Sequence, residues 1–399
     1  MRRGDASISL EKAPSEAIEW LRRHPSFVVS GNFLFTRRTF RALETIRNRL
    51  PNEAFSLSDI EDEQERAVRL SLSAPFSIIT GGPGTGKTTV AKKLALHAFE
   101  KKPCAKITFL APTGKALQKL KMEGVHTSTL HKHLGLSKDG YSKEVDLIEE
   151  ILLIDEASMV DLFLFERVFS SLRYVKHLIL MGDPMQLPPI GMQGIFQDLC
   201  DSNRIPCTTL TRVRRTDNEE MMRIFEAIRQ RDVETFLALA KPHPFEDFES
   251  RFPYLSGTGI ILTPFQQGKH GAENLNARML AAAPDAVHPI MCTKNIHELG
   301  LYNGDMGTLH QDTIRFENAI FPRRTFPYFT LGSAITIHKS QGSEYDHVIG
   351  VFPPESVRFP LELLYTALTR AKKRLSLFID ESTVRALFQT PKRPPSLFL

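Results

Sequence analysis

Three short runs in this 399-residue chain hold residue types suited to phosphate chemistry. The first is Ile78-Ile79-Thr80-Gly81-Gly82-Pro83-Gly84-Thr85-Gly86-Lys87-Thr88-Thr89, an apolar run feeding a glycine-rich loop, with Lys87 and Thr88 opening a predicted helix. Glycines let the backbone turn tightly enough for several N–H groups to converge on phosphate oxygens, and a helix N-terminus adds partial positive charge. In that setting the backbone from Gly82 through Pro83, Gly84, Thr85 and Gly86 to Thr89 cradles phosphates. Lys87 reaches the β and γ groups and the Thr88 hydroxyl suits Mg²⁺, so the implied ligands are ATP and Mg²⁺. The second run, Ile151-Leu152-Leu153-Ile154-Asp155-Glu156, reads as a buried strand ending in two carboxylates. Asp155 is placed to hold Mg²⁺ and Glu156 to orient or deprotonate an attacking water. The third, Met181-Gly182-Asp183-Pro184-Met185-Gln186-Leu187-Pro188-Pro189, presents Gln186 from a proline-stiffened loop, where it can report whether a γ-phosphate is present. Each run has a plain alternative: a chance glycine loop, an acid-capped strand, a structural turn. Together they point to an NTPase.

Such residues need a sheet to hold them. Short apolar runs at Phe76–Ile79, Ile107–Leu110, Ile151–Ile154 and His177–Met181 alternate with helix-length amphipathic stretches, which predicts a parallel α/β sheet with helices on both faces. A first lobe is expected over residues 61–205. A second alternating region follows over 206–292 and 331–390, interrupted at 293–330 by a small β insertion with a turn at Asn303-Gly304-Asp305. Residues 1–60 read as a helix around Trp20, a hairpin near Ser30-Gly31-Asn32 and a second helix ended by Pro51, a short segment suited to docking on the motor or a partner. Residues 391–399 read as a solvated tail.

Composition sets outer limits. A formal net charge of +5 permits a polyanionic partner without requiring one. Four dispersed cysteines, with no Cys-x-x-Cys pair, predict reduced thiols, and no apolar run or signal-like N-terminus suggests a membrane or export, so a cytoplasmic protein is expected. No metal-ligand spacing predicts a nuclease centre.

Beyond these runs the wording resembles superfamily 1 helicases. Gly182-Asp183-Pro184-x-Gln186-Leu187-Pro188-Pro189 resembles their motif III, Ala111-Pro112-Thr113-Gly114-Lys115-Ala116 motif Ia, Thr336-Ile337-His338-Lys339-Ser340-Gln341-Gly342-Ser343-Glu344 motif V, and Tyr365-Thr366-Ala367-Leu368-Thr369-Arg370-Ala371 motif VI. Gln64 matches the adenine-reading glutamine ahead of the phosphate loop. Ile154-Asp155-Glu156-Ala157-Ser158-Met159-Val160-Asp161 and Asn303-Gly304-Asp305-Met306-Gly307 resemble the RecD branch, and the likeness spans about residues 27–380. It implies two RecA-like P-loop lobes, an SH3-like insertion, and a motor driven 5′→3′ along single-stranded DNA. Arg370 and a motif IV arginine, Arg215 with its neighbour Arg214 as the alternative, are expected to reach phosphates across a cleft, so that ATP draws the lobes together. Pro112, Thr113, Lys115, Thr129 and His131 on the first lobe, with His338 and Ser340 on the second, are the implied strand contacts; Gly342 and Glu344 are expected to couple strand and nucleotide. His131 and His133 also read as ordinary surface histidines.

The same resemblance implies RecB-like and RecC-like partners acting on DNA ends. A self-sufficient RecD-type helicase is expected to carry a longer strand-splitting pin between Thr129 and Asp155 and a large N-terminal region. The alternatives are such a stand-alone helicase, an RNA helicase of the same superfamily, and a non-motor module that nucleotide merely stabilises.

Overall fold

The computed structural model describes residues 7–391 apart from 12, 32, 52–59, 138–139, 142–144, 190–193, 213–218, 253–254, 256–257, 295 and 318. The chain begins with β1 (Ser7–Ser9), α1 (Ser15–Arg23), β2 (Phe27–Ser30), β3 (Phe33–Thr36) and α2 (Arg37–Arg47). The three strands form an antiparallel sheet in the order β1-β3-β2. Thr36 caps α2 by accepting from the Thr39 amide.

Next come α3 (Glu63–Ser73), β4 (Phe76–Gly81), α4 (Lys87–Lys101), β5 (Ile107–Ala111), α5 (Gly114–Leu120), β6 (His126–Thr129), α6 (Leu130–His133), β7 (Leu136–Ser137) and β8 (Gly140–Tyr141). They are followed by β9 (Ile151–Ile154), α7 (Leu162–Ser171), β10 (His177–Gly182), α8 (Phe196–Asp201) and β11 (Cys207–Leu210). The six-stranded sheet runs β11-β4-β10-β9-β5-β6, with every pairing parallel. Its strands β4, β5 and β9 are buried at every position, the pattern expected of a sheet covered on both faces. The period-2 alternation of a strand sorts side chains between two cores. Leu152 and Ile154 join Phe165, Val168 and Phe169 of α7, while Ile151 and Leu153 join Val90, Ala91 and Leu94 of α4. Helix α2 adds Ala42, Leu43 and Ile46 to the α7 side, so the N-terminal segment shares this core.

The remainder holds α9 (Glu219–Gln230), α10 (Val233–Ala240), α11 (Asp247–Arg251), β12 (Ile260–Thr263), α12 (Ala272–Ala282), β13 (His288–Cys292), β14 (Met306–His310), β15 (Thr313–Phe316), β16 (Ala319–Pro322) and β17 (Phe329–Leu331). It closes with β18 (Ala334–Thr336), β19 (Tyr345–Phe352), α13 (Leu361–Leu368), β20 (Ala371–Ile379) and α14 (Glu381–Gln389). A parallel sheet β18-β12-β19-β20 carries this part. The insertion is an antiparallel sheet β16-β15-β14-β13-β17 with its own core of Ile290, Leu309, Ile314, Phe316 and Phe326.

Two compact units result. Unit 1 takes the chain to Pro184 and again from Pro188 through β11; unit 2 takes Met185–Leu187 and the chain from α9 onward. Three boundaries differ from those drawn on the sequence. β11 pairs with β4, so unit 1 runs past residue 205. The insertion sheet begins at His288, five residues before 293, because β13 pairs with β14 and β17. Met185–Leu187 leave unit 1 because Leu187 packs in the core of unit 2. Among the described residues, no helix is long and apolar enough to cross a membrane.

Candidate nucleotide site and nucleic-acid contacts

In unit 1, β4 delivers the chain to the glycine loop and α4 starts at Lys87 with Gly86 as its N-cap. Gly86 has φ +90°, a conformation L-residues rarely adopt, and a Cβ there would lie 2.5 Å from Gln64 Nε2. Gly81 is as restricted, since a Cβ would meet Thr85 Oγ1 at 2.6 Å and the Leu210 carbonyl at 3.0 Å. Thr85 Oγ1 donates to the Gly82 carbonyl at 2.9 Å, bracing the loop. Lys87 Nζ folds back onto the carbonyls of Gly81 (2.6 Å) and Gly82 (3.1 Å). Those neutral acceptors hold the ammonium at the loop mouth, where a phosphate oxygen would be a stronger partner. Thr88 is half-buried and Thr89 exposed on the same turn, while Pro83 and Gly84 form the half-buried tip.

Gln64 sits on the first turn of α3 and is buried. Its Nε2 donates to the Thr85 carbonyl at 3.4 Å and its Oε1 accepts from Lys93 Nζ at 3.1 Å. A lysine can only donate, so the carboxamide orientation follows from the chemistry. Lys93 carried no signal in the sequence, being one of several lysines on a helix.

The acidic strand end lies in the same unit. Asp155 is buried and its Oδ1 accepts from the Glu156 amide at 2.8 Å. Burial first and the Glu156 carboxylate second push the Asp155 carboxyl up to about 7, against the pull of Lys87. Glu156 takes a left-handed backbone, φ 51° and ψ 40°, and its Oε2 is buried with no hydrogen-bond partner among the described residues. A buried carboxyl of high proton affinity beside an orphaned carboxylate oxygen is a donor set that fits a divalent cation and a water to be activated. Thr88 and Asp155 are the residues that would hold that cation.

Unit 2 carries the remaining motifs. Leu187 is gripped at both backbone groups: its amide donates to Thr366 Oγ1 at 2.9 Å, and its carbonyl accepts from Gln341 Nε2 at 2.9 Å. Gln186 beside it is buried, and its Oε1 has no partner among the described residues. Arg370 is 4% exposed; its guanidinium donates to the Thr366 carbonyl (3.1 Å), the Ser343 carbonyl (3.3 Å) and Thr369 Oγ1 (3.3 Å). All three of these acceptors are neutral, so none of them balances the charge of the buried guanidinium. Thr366 and Gln341 lie within the motif VI-like and motif V-like runs, yet nothing in those runs marks them as the clamp on Leu187. Arg215 and Arg214 lie outside the described residues.

The expected strand contacts divide. Thr113 and Thr129 act locally as N-caps of α5 and α6, accepting from the Ala116 and Lys132 amides at 3.4 Å each. Pro112 and Lys115 are half-buried beside Thr113, and His131 is exposed. His133 is not a free surface histidine: its Nε2 lies 2.8 Å from Oε1 of the buried Glu149. In unit 2, burial holds the His338 imidazole below its ordinary value, which favours the neutral ring over the charged one. Ser340 is fully buried with its hydroxyl donating to the Ile337 carbonyl at 2.7 Å, which removes that side chain from any outward-facing contact. Gly342, at φ 71°, turns the chain toward the half-buried Glu344.

A parallel sheet whose strand runs into a glycine loop, together with a second parallel-sheet unit that holds a buried arginine, defines a P-loop NTPase of the two-unit helicase class. Comparison with known proteins agrees. Residues 59–245 match the AAA domain family and residues 331–378 the UvrD-like helicase C-terminal domain family. The chain is 31% identical to the RecBCD enzyme subunit RecD of Mycobacterium tuberculosis, over 82% of this chain and 70% of that one. It is 28% identical to the ATP-dependent RecD2 DNA helicase of Deinococcus radiodurans, over 79% of this chain and 48% of that one. Bacteroides Pif1 bound to ssDNA shares the fold, with a TM-score of 0.53 at 20% identity, covering 82% of this chain and 94% of that one. The chain belongs to the RecD family of superfamily 1 helicases.

Proposed function

We propose that this helicase is an ATP-driven translocase on single-stranded DNA, moving 5′→3′ in the cytoplasm. In this reading it is the helicase subunit beside RecB-like and RecC-like subunits that process DNA ends in double-strand-break repair and recombination. The observation that carries the motor reading is the pairing, in one unit, of Lys87 at the loop mouth with the orphaned Glu156 Oε2, because binding alone needs no group to take a proton from water. The assembly reading draws support from relatives named as RecBCD enzyme subunits.

ATP lies along the loop, with Gln64 reading its base and Lys87 exchanging the Gly81 and Gly82 carbonyls for phosphate oxygens. Bound Mg²⁺, held by Thr88 and Asp155, supplies charge neutralisation at the phosphates. Glu156 Oε2 accepts a proton from water as the water oxygen bonds to the γ-phosphorus and the bond to the β-phosphate oxygen breaks, giving ADP and inorganic phosphate. Gln186 reports the γ-phosphate, and Arg370 and Arg215 stabilise the charge that develops there. Gly342 and Glu344 link that change to the strand held by Pro112, Thr113, Lys115, Thr129, His131 and His338.

The test is ATP hydrolysis with and without an oligothymidylate, and with an RNA of equal length. DNA should stimulate the rate and Lys87→Ala should abolish it. A rate indifferent to either strand would leave a nucleotide-stabilised assembly module, and stimulation by RNA alone would reassign the track.

A further inference from the structure

Charge is distributed unevenly along the chain. Residues 1–51 contain ten basic and five acidic side chains, a net +5 that equals the formal charge of all 399 residues, so the rest of the chain is balanced. Within the described part of this segment the arginines collect where two helix ends meet. Arg22 and Arg23 close α1, and the start of α2 is tied beside them: the Arg37 amide donates to the Ser26 carbonyl at 2.9 Å and Arg37 Nε to the Pro25 carbonyl at 2.6 Å. Arg41 follows one turn along α2, and Arg22, Arg23, Arg37 and Arg41 are all exposed. No acid stands in the first turn of α2, where a helix N-terminus favours one. Of the two acids on α1, Glu16 stands in its first turn and Glu19 pairs with Arg23 in an exposed contact of little worth.

Rings accompany the charges. Trp20, the only tryptophan of the chain, is 61% exposed. Its ring lies 4.9 Å from that of His24, which lies 5.2 Å from that of Phe27, so three rings step from solvent toward the N-terminal sheet. Helix α1 buries no side chain. A polar protein surface gains nothing from an outward indole among arginines, whereas an exposed indole backed by the half-buried His24 and Phe27 rings and flanked by cations matches a strand with accessible base faces and a phosphate backbone. A duplex offers the phosphates without the faces.

We infer that α1 and the start of α2 form an accessory surface for single-stranded nucleic acid, with bases stacking on Trp20 and His24 and phosphates on Arg22, Arg37 and Arg41. It is separate from the strand contacts of the motor and does not depend on nucleotide.

Because Trp20 is the sole tryptophan, its emission reports on this surface alone. The full chain, without ATP, is titrated with an oligothymidylate of about 12 nucleotides and with a blunt duplex of equal length. The single strand should quench the emission, with affinity falling steeply as salt rises. Arg22→Glu combined with Arg41→Glu should weaken binding about tenfold or more while leaving the thermal midpoint and the strand-saturated ATPase rate unchanged. Lys87→Ala and Lys115→Ala should leave the quench intact, which separates this surface from the motor. Absence of quenching, quenching that survives the charge reversals, or a response to duplex alone would each overturn the inference.

Discussion

Glu156 carries two costs at once. A left-handed backbone at a non-glycine residue costs about 1 kcal/mol or more, and its buried Oε2 lacks a partner among the described residues. Both are tolerable where a carboxylate must meet a water rather than a neighbour. Glu156→Gln should therefore retain nucleotide binding and melt no earlier than the parent, while hydrolysis falls by about 10²–10⁴-fold. Calorimetry with a fluorescent-ATP titration and a steady-state rate checks all three; an unchanged rate removes Glu156 as the base. Gly86 is constrained from the opposite direction. Alanine at φ +90° costs about 1–2 kcal/mol, and its Cβ would drive Gln64 off the Thr85 carbonyl. Gly86→Ala should weaken ATP binding as well as lower the melting temperature, and a variant that binds ATP normally would show the close approach to be unimportant. The sequence made Gly86, Lys87, Asp155 and Glu156 legible because their types and spacing are themselves the signal. Lys93 was not, because nothing in a row of helix lysines says which one meets the Gln64 carbonyl.

At the scale of elements, two networks invite tests. The loop after β10 is fixed in unit 2 through both backbone groups of Leu187, on Thr366 of α13 and on Gln341. Thr366→Val keeps the shape but strands a buried amide, a loss of about 1–3 kcal/mol in unfolding free energy. Strand-stimulated turnover should fall while ATP affinity holds, as expected if this clamp positions Gln186; a parallel loss of ATP affinity would point instead to general damage. Elsewhere in unit 2, Glu249 of α11 joins α12 and the preceding loop through Arg278 (2.7 Å), His270 (2.9 Å) and Lys269 (3.3 Å). Burial works against ionisation there, but the hydrogen bonds from Arg278, His270 and Lys269 prevail and hold the carboxyl down at about 2. A depressed folded-state value stabilises above the ordinary carboxylate range and is lost as pH falls from about 4.5 toward 2. Glu249→Gln should thus lower the melting temperature at pH 7, with the gap closing across that acid window; a gap independent of pH would deny the ionic link.

For the whole molecule, the described residues of β7 and β8 pair over two positions, Leu136 with Tyr141 and Ser137 with Gly140. So short a ribbon is a poor wedge for a duplex, and the isolated chain should hydrolyse ATP on a single strand yet open a forked duplex weakly. A gel assay on a fork decides it, and strong unwinding would favour the stand-alone reading. The phosphate loop, the acidic strand end and the parallel α/β alternation were determined by the sequence, because each is a local pattern: glycines at a turn, carboxylates after an apolar run, strand and helix periods in series. Tertiary structure alone decided that β11 closes the first sheet, that β13 starts the insertion sheet, and that Leu187 belongs to unit 2. Strand partners and core membership depend on contacts far apart in the chain, and no window of sequence contains both sides of such a contact. Ser340 shows the same division: its motif was readable, while its burial and its bond to the Ile337 carbonyl were settled by the residues packed around it.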